Sequence, residues 1–408
     1  MGMLLSGQLG WLATLVALLT VVTGPASLAR GEVRPDRLDA MLTIAWRRGP
    51  DLPQGFQDSD GGVVADTLVS VGGFCSGQKG VPGKASKHPR GFLKKVWGLP
   101  LRDRGRWGEL PDFPGVARQG LEAVVVGDRL YCWGGVSYTK PFTYRDGYRL
   151  CRVGGAWKWE PLPALPWALC FQGACAIGKK VYVMGGADYD IKTGFFTAAD
   201  RNGRVKRLGA RLLAFDTDRP DEGWKERKPC PGTPRFVHAV AAVGGRVYVF
   251  GGATDNANAA RQTCTVVDNW RYLPEADRWE RLPDLPVASG NFPSGPVVYA
   301  GRYVLLIGGN QYGMVLSPDG KPRAPYGTPT RHYKDNAMCS DVFVFDTKTE
   351  TFGRATPLPL NNNMPMAVVR GDQLYLIGGE IGAATLDGVH YGHHPDLLLV
   401  GTIRPVKP

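Results

Sequence analysis

The chain has 408 residues, 43% of them hydrophobic, an ordinary balance for a soluble globular protein and enough length for a large core. Its 55 glycines and 32 prolines favour many short strands joined by tight turns over long helices. The net charge of +12 gathers between Lys79 and Arg106, in a Gly/Pro-punctuated stretch without a run of interleaved aromatics; this excludes nucleic acid as the expected partner and leaves a solvated basic face.

At the N-terminus, Trp11 to Val22 is uncharged and apolar, too short for a membrane span, and is followed by Gly24-Pro25 and the small residues Ser27 and Ala29. This pattern predicts a signal peptide over residues 1–29, cleaved before Arg30, although no Lys or Arg precedes the apolar run. Export to a periplasmic or extracellular space follows, with no integral span after cleavage; an uncleaved anchor is the competing reading.

From residue 30 to 408 a single repeating domain is expected. Six apolar runs end in glycine pairs: Gly72-Gly73, Gly134-Gly135, Gly185-Gly186, Gly251-Gly252, Gly308-Gly309 and Gly378-Gly379. Eight residues before the second glycine of each pair stands a turn residue (Ala65, Gly127, Gly178, Gly244, Gly301, Gly371), preceded by a small, Val/Ala-rich strand. Downstream come a third strand and a fourth, the latter marked by Trp107, Trp159, Trp224, Trp279 or Phe352 and a Pro-terminated tail. The sixth such tail, Trp46-RRGPDLP, precedes the first glycine pair, so the N-terminal strand is expected to complete the last repeat.

The glycine doublet, the downstream Trp and the LPxLP tails resemble kelch repeats. The resemblance implies an all-β fold, a six-bladed kelch-type β-propeller closed by an N-terminal strand completing the last blade. The blades fall at about 58–114, 117–166, 170–232, 235–286, 292–360 and 364–403, with the closing strand at 42–53.

Loops after the glycine pairs should converge on one face around the channel mouth. Those of blades one, three and five (74–90, 187–209, 310–338) exceed those of blades two and four (136–146, 253–263), which marks this face as the site. Arg118 and Arg235 hold equivalent places at the entry to the first strand, suited to carboxylate recognition. With His238, Asn363, Tyr312, His332 and Tyr333 they are the candidate ligand-binding residues. Asp60 and Glu122 share a position on adjacent inner strands; with Glu380 they are the candidate catalytic carboxylates, against the alternative that they cap backbone amides. His390, His393 and His394 offer metal ligands, but their spacing matches no strong pattern and neighbours in a strand point oppositely, so neither metal nor cofactor is expected. The eight cysteines show no zinc spacing; Cys132 and Cys151, on successive strands, are a candidate disulfide if exported, or small buried apolar residues.

Within kelch propellers the chain is similar to the exported N-acetylneuraminate epimerases (sialic acid mutarotases). The shared marks are the leader, the closing strand, the long insertions in blades three and five, the final Leu376-Ile377-Gly378-Gly379-Glu380, and Arg118 before the first strand of blade two. The resemblance implies ring opening of a sugar acid by proton transfer. The family's proton-transfer Glu follows the blade-four glycine pair, where this chain has Ala253; Glu380 holds the equivalent place in blade six. The expected function is therefore binding of a glycan, sugar acid or protein ligand at the channel mouth without catalysis, the alternative being a mutarotase or epimerase.

Overall fold

The computed structural model describes residues 38–77, 89–102, 105–190, 195–198, 207–255, 263–295, 297–311, 315–316, 322–323 and 337–406. Six four-stranded antiparallel sheets form the blades of a propeller. Blade one comprises Asp60–Val64, Thr67–Val71, Val96–Pro100 and Gly108–Leu110; blade two comprises Glu122–Val126, Arg129–Trp133, Gly147–Val153 and Ala156–Leu162. Blades three, four and five begin at Gly173–Ile177, Ala239–Val243 and Val298–Tyr299. Blade six is built from Met366–Arg370, Gln373–Ile377 and Leu398–Pro405, and Leu42–Arg48 adds its outer strand, Leu42 opposite Pro405 and Arg48 opposite Leu399. The ring is thus closed by the N-terminal strand, and no blade edge is left facing an open gap in the ring.

Three repeated contacts explain the repeated residues. The second glycine of each pair donates its amide to the entry segment of the next blade: Gly73 to Arg118, Gly135 to Leu169, Gly186 to Arg235, Gly252 to Ser289, Gly309 to Asn362 and Gly379 to Phe56, at 2.8–3.0 Å. Both glycines have positive φ, and a Cβ on Gly134 would stand 2.5 Å from the Leu169 carbonyl, so no other residue fits there. The outer-strand tryptophans latch each blade to the tail of the one before. Trp107 donates to the Pro50 carbonyl, Trp159 to Pro111, Trp224 to Pro163, Trp279 to Lys228 and Trp46 to Pro357. In blade five Phe352 has no N–H to give.

The third contact lies on the axis. Asp58, Gly120, Phe171, Val237, Asn291 and Met364 hold equivalent places ahead of the first strand of each blade, all with positive φ. Each donates its amide to the carbonyl of its counterpart in the preceding blade, Gly120 to Asp58 and onward to Met364, and Asp58 closes the circle onto Met364 at 3.4 Å. Six left-handed residues therefore cap the channel with a closed hydrogen-bonded ring.

Cores lie between blades. Val124, Val126, Tyr131 and Trp133 of blade two pack against Val181, Val183, Leu213 and Phe215 of blade three. The candidate Cys132–Cys151 bridge does not form, and both are buried free cysteines: Cys132 pairs with Tyr148 and Leu130 with Leu150, so Cys151 points to the other face of the sheet.

Candidate functional site

The channel mouth is occupied by protein. Blade five carries three extra residues between Asn291 and its hairpin Gly301, compared with the spacing from Phe171 to Gly178. This insertion reaches past blade six to blade one. The Ser294 amide donates to Pro365 O, the Ser294 carbonyl accepts from Ala367, and the Ser294 hydroxyl donates to Ser59 O at 2.6 Å. Gly295 lines both a cavity of about 40 Å³ under the ring and an open, Val/Ala-walled funnel of about 450 Å³ at the opposite end. The smaller cavity has room for a few waters, not for a sugar.

Around that cavity stand Asp58, Glu122, Gln172 and His238. Glu122 accepts the Ala174 amide at 2.7 Å, and Asp60, just outside, accepts the Ala123 amide at 2.5 Å, each carboxylate fastening its blade to the next. Burial pushes the Asp60 carboxyl up to about 7 against the pull of the Ala123 and Gly61 amides. Burial, and then the Asp60 charge, carries Glu122 well above the usual carboxylate range. Burial and the nearby Arg235 push His238 down to about 3, and neither of its ring nitrogens has a well-formed hydrogen bond. Arg118 and Arg235 do not line the cavity. Both side chains are 0% exposed; Arg118 donates to Asp146 at 2.6 and 3.0 Å and lies over the Tyr144 ring at 3.9 Å, while Arg235 donates to the Asp268 carboxylate and carbonyl, both at 2.6 Å. In blades two and four these guanidiniums tie the loop after the glycine pair to the strand entry.

A second cluster stands on the loop face at blade six. Glu380 follows the glycine pair, and its backbone bridges Asn363. Its carboxylate receives the Asn363 amide at 3.0 Å and lies 2.6 Å from His393 Nε2, while Asn363 also donates to Asn310 at 3.1 Å. His393 and His394 stack with ring centroids 4.9 Å apart, contrary to the expectation that neighbours diverge, because they occupy a turn and not a strand. Burial works to raise the Glu380 carboxyl, but the His393 and Asn363 bonds and both imidazoles hold it below its ordinary value. Glu380 raises His393 in return, and burial drives His394 down to about 4. Side-chain exposures of 44% for His393 and 28% for Glu380 leave the cluster open to solvent.

Beside it, Arg90 lies 5.0 Å over the Phe74 ring, and Tyr138, Phe92, Phe74 and His394 form an edge-to-face row at 4.8–5.8 Å along blades two, one and six. Tyr138 is 63% exposed, whereas Tyr144, Tyr189 and Tyr391 are buried packing residues. His390 stands apart, with Nδ1 3.2 Å from the Thr385 hydroxyl. Tyr312, His332 and Tyr333 lie outside the described residues. Sequence reasoning missed Asp58, Asn310 and Arg90 and the crossing at Ser294; only the last had a signal, the extra length before Gly301.

The KLHDC2/KLHL20/DRC7 Kelch-repeats domain matches residues 120–379. The N-acetylneuraminate epimerase of Haemophilus influenzae (strain 86-028NP) is 24% identical over 361 residues, covering 81% of this chain and 87% of that protein. The N-acetylneuraminate epimerase of Pasteurella multocida (strain Pm70) is 23% identical over 360 residues, covering 81% and 88%. The solved structure titled "Structure of YjhT" superimposes with a TM-score of 0.62 at 16% identity, over 87% of this chain and 99% of that one, a likeness of fold.

Proposed function

For a chain that belongs to the KLHDC2/KLHL20/DRC7 Kelch-repeats family, we propose a sugar-acid-binding propeller whose ligand sits on the loop face beside Glu380, His393 and Arg90. The observation that carries this reading is the half-exposed Glu380–His393 contact next to a guanidinium and an aromatic row. A guanidinium pairs with a carboxylate in bidentate fashion, the Glu380 and Asn363 side chains take sugar hydroxyls, and Tyr138 and Phe92 offer ring surfaces to the apolar face of a pyranose. Asp60, Glu122, Arg118 and Arg235 act as fasteners between and within blades, and His238 lies sealed at the axis.

Mutarotation is the second reading, favoured by the epimerases aligned over 81% of the chain. Anomer exchange needs an acceptor and a donor for protons at the anomeric hydroxyl and ring oxygen, and Glu380 and His393 bring both group types to one point. The blade-six position is symmetry-related to Ala253, so the ring supplies the carboxylate from another blade. The N-terminal leader, residues 1–29, would direct the mature propeller of residues 30–408 out of the cytoplasm; N-terminal sequencing of the protein recovered after cell fractionation tests this, with Arg30 as the expected first residue.

Saturation-transfer NMR with N-acetylneuraminate tests binding, and exchange spectroscopy between its anomers tests catalysis. Binding should weaken at least about tenfold in Arg90→Gln, the loss of one bidentate charge pair. Absence of saturation transfer, or identical transfer in Arg90→Gln, contradicts the site.

A further inference from the structure

Glu380, His393 and His394 each offer one ligand atom, and these atoms lie within 4.8 Å of one another. The set combines two imidazoles and a carboxylate, the donor types that hold zinc with three protein ligands and an open position. His394 is only 5% exposed, yet its Nδ1 has no hydrogen-bond partner, an arrangement a buried polar atom rarely keeps. The supports around the ligands are also those of a metal site. The His394 ring packs edge-to-face on Phe74 at 5.8 Å, and the Asn363 side-chain amide holds one Glu380 oxygen at 3.0 Å. The Ile381 amide pins the His393 carbonyl at 3.0 Å, and Gly55 packs against the His394 carbonyl so closely that a Cβ would collide with it.

We propose that Glu380, His393 and His394 form a binding site for a divalent transition-metal ion, zinc by its ligand set, at the rim of blade six. Ligand atoms around tetrahedral zinc stand about 3.3 Å apart, given bonds near 2.0–2.1 Å. The contact of 2.6 Å between Glu380 and His393 therefore opens slightly as the ion takes the place of the proton between them, and the remaining distances contract. Both changes are side-chain movements. His393 and Glu380 are 44% and 28% exposed, so solvent reaches the ligand set. The Arg90 guanidinium, over the Phe74 ring that His394 contacts, adds a positive charge that acts against a cation here. The site is read from these side chains alone and does not depend on the sugar-acid reading: metal titration tests one, and anomer exchange or saturation transfer in chelator-treated protein tests the other.

Chelator-dialysed full-length protein should take up one Zn²⁺ per chain by calorimetry, and Co²⁺ should give visible d–d absorption from a low-coordinate site. Glu380→Gln, His393→Gln and His394→Gln should each weaken zinc at least about tenfold. His390→Gln should leave affinity unchanged, and Arg90→Gln should raise it. Thermal melts of the metal-free variants matching the parent separate loss of ligand from loss of fold. Absence of stoichiometric uptake by the parent, or unchanged affinity in folded His393→Gln and His394→Gln, overturns the proposal.

Discussion

Glu122 gives the Ala174 amide its acceptor while burial and Asp60 keep its own proton on, so its ionisation is coupled to folding. A carboxyl with a raised folded pKa contributes most below its unfolded value of about 4. The folded chain then holds a proton that the unfolded chain releases, and stability falls as pH climbs towards the folded pKa; for Asp60 that window ends near 7. His238, at about 3, works in the opposite sense: its contribution is full above about 6.5 and is lost as pH falls towards 3. Glu122→Gln keeps the acceptor and removes the ionisation. Its Tm should exceed that of the parent at about pH 8, with the gap narrowing towards about pH 4.5 as Glu122 protonates in both states. An equal gap at the two pH values would show that Glu122 does not titrate in this way. Gly379→Ala meets both a φ of 95° and a collision with the Asn362 side chain, and should cost more than about 2 kcal/mol in urea unfolding.

At the scale of elements, each blade is held to the next by a glycine amide, an axial amide and, in five of the six cases, an indole. Trp159→Phe reproduces what Phe352 already does in blade five, removing the donor while keeping an aromatic ring. The expected loss is about 1 kcal/mol with an unchanged urea m-value, since the Pro111 carbonyl lies near solvent and can take water instead. A lower m-value would mean that the latch holds the whole blade and not one contact. The insertion at Ser294 behaves differently, because it joins blades five, six and one at a single residue. It also fills the channel mouth, where the ligand site was expected.

For the whole molecule, closure rests on Leu42–Arg48, which covers the edge of Leu398–Pro405. Removing residues 38–48 should expose that edge and shift elution on size exclusion towards larger species than the parent; unchanged elution with the parent's Tm would place closure elsewhere. The glycine pairs, the Trp tails and the missing fourth strand were legible because every blade repeats them against the same neighbour. The crossing at Ser294 was not, since counting back from Gly301 hides residues added before the strand. Arg118 and Arg235 were legible as positions, but their partners Asp146 and Asp268 lie a loop and a strand away and carry no repeat signal. Glu380 and His393 meet only because the hairpin of Ala384–Leu386 and Val389–Tyr391 folds the chain back on itself. The loop-face site is tested most directly by saturation-transfer NMR with N-acetylneuraminate, run alongside exchange between its anomers, on chelator-treated parent, Arg90→Gln and Glu380→Gln. The structure leads us to expect saturation transfer to the sugar from the parent, weakened at least about tenfold by Arg90→Gln, and any anomer exchange above buffer to vanish in Glu380→Gln. Sugar resonances unaffected by the parent, or equally affected by all three proteins, would contradict a sugar-acid site at blade six.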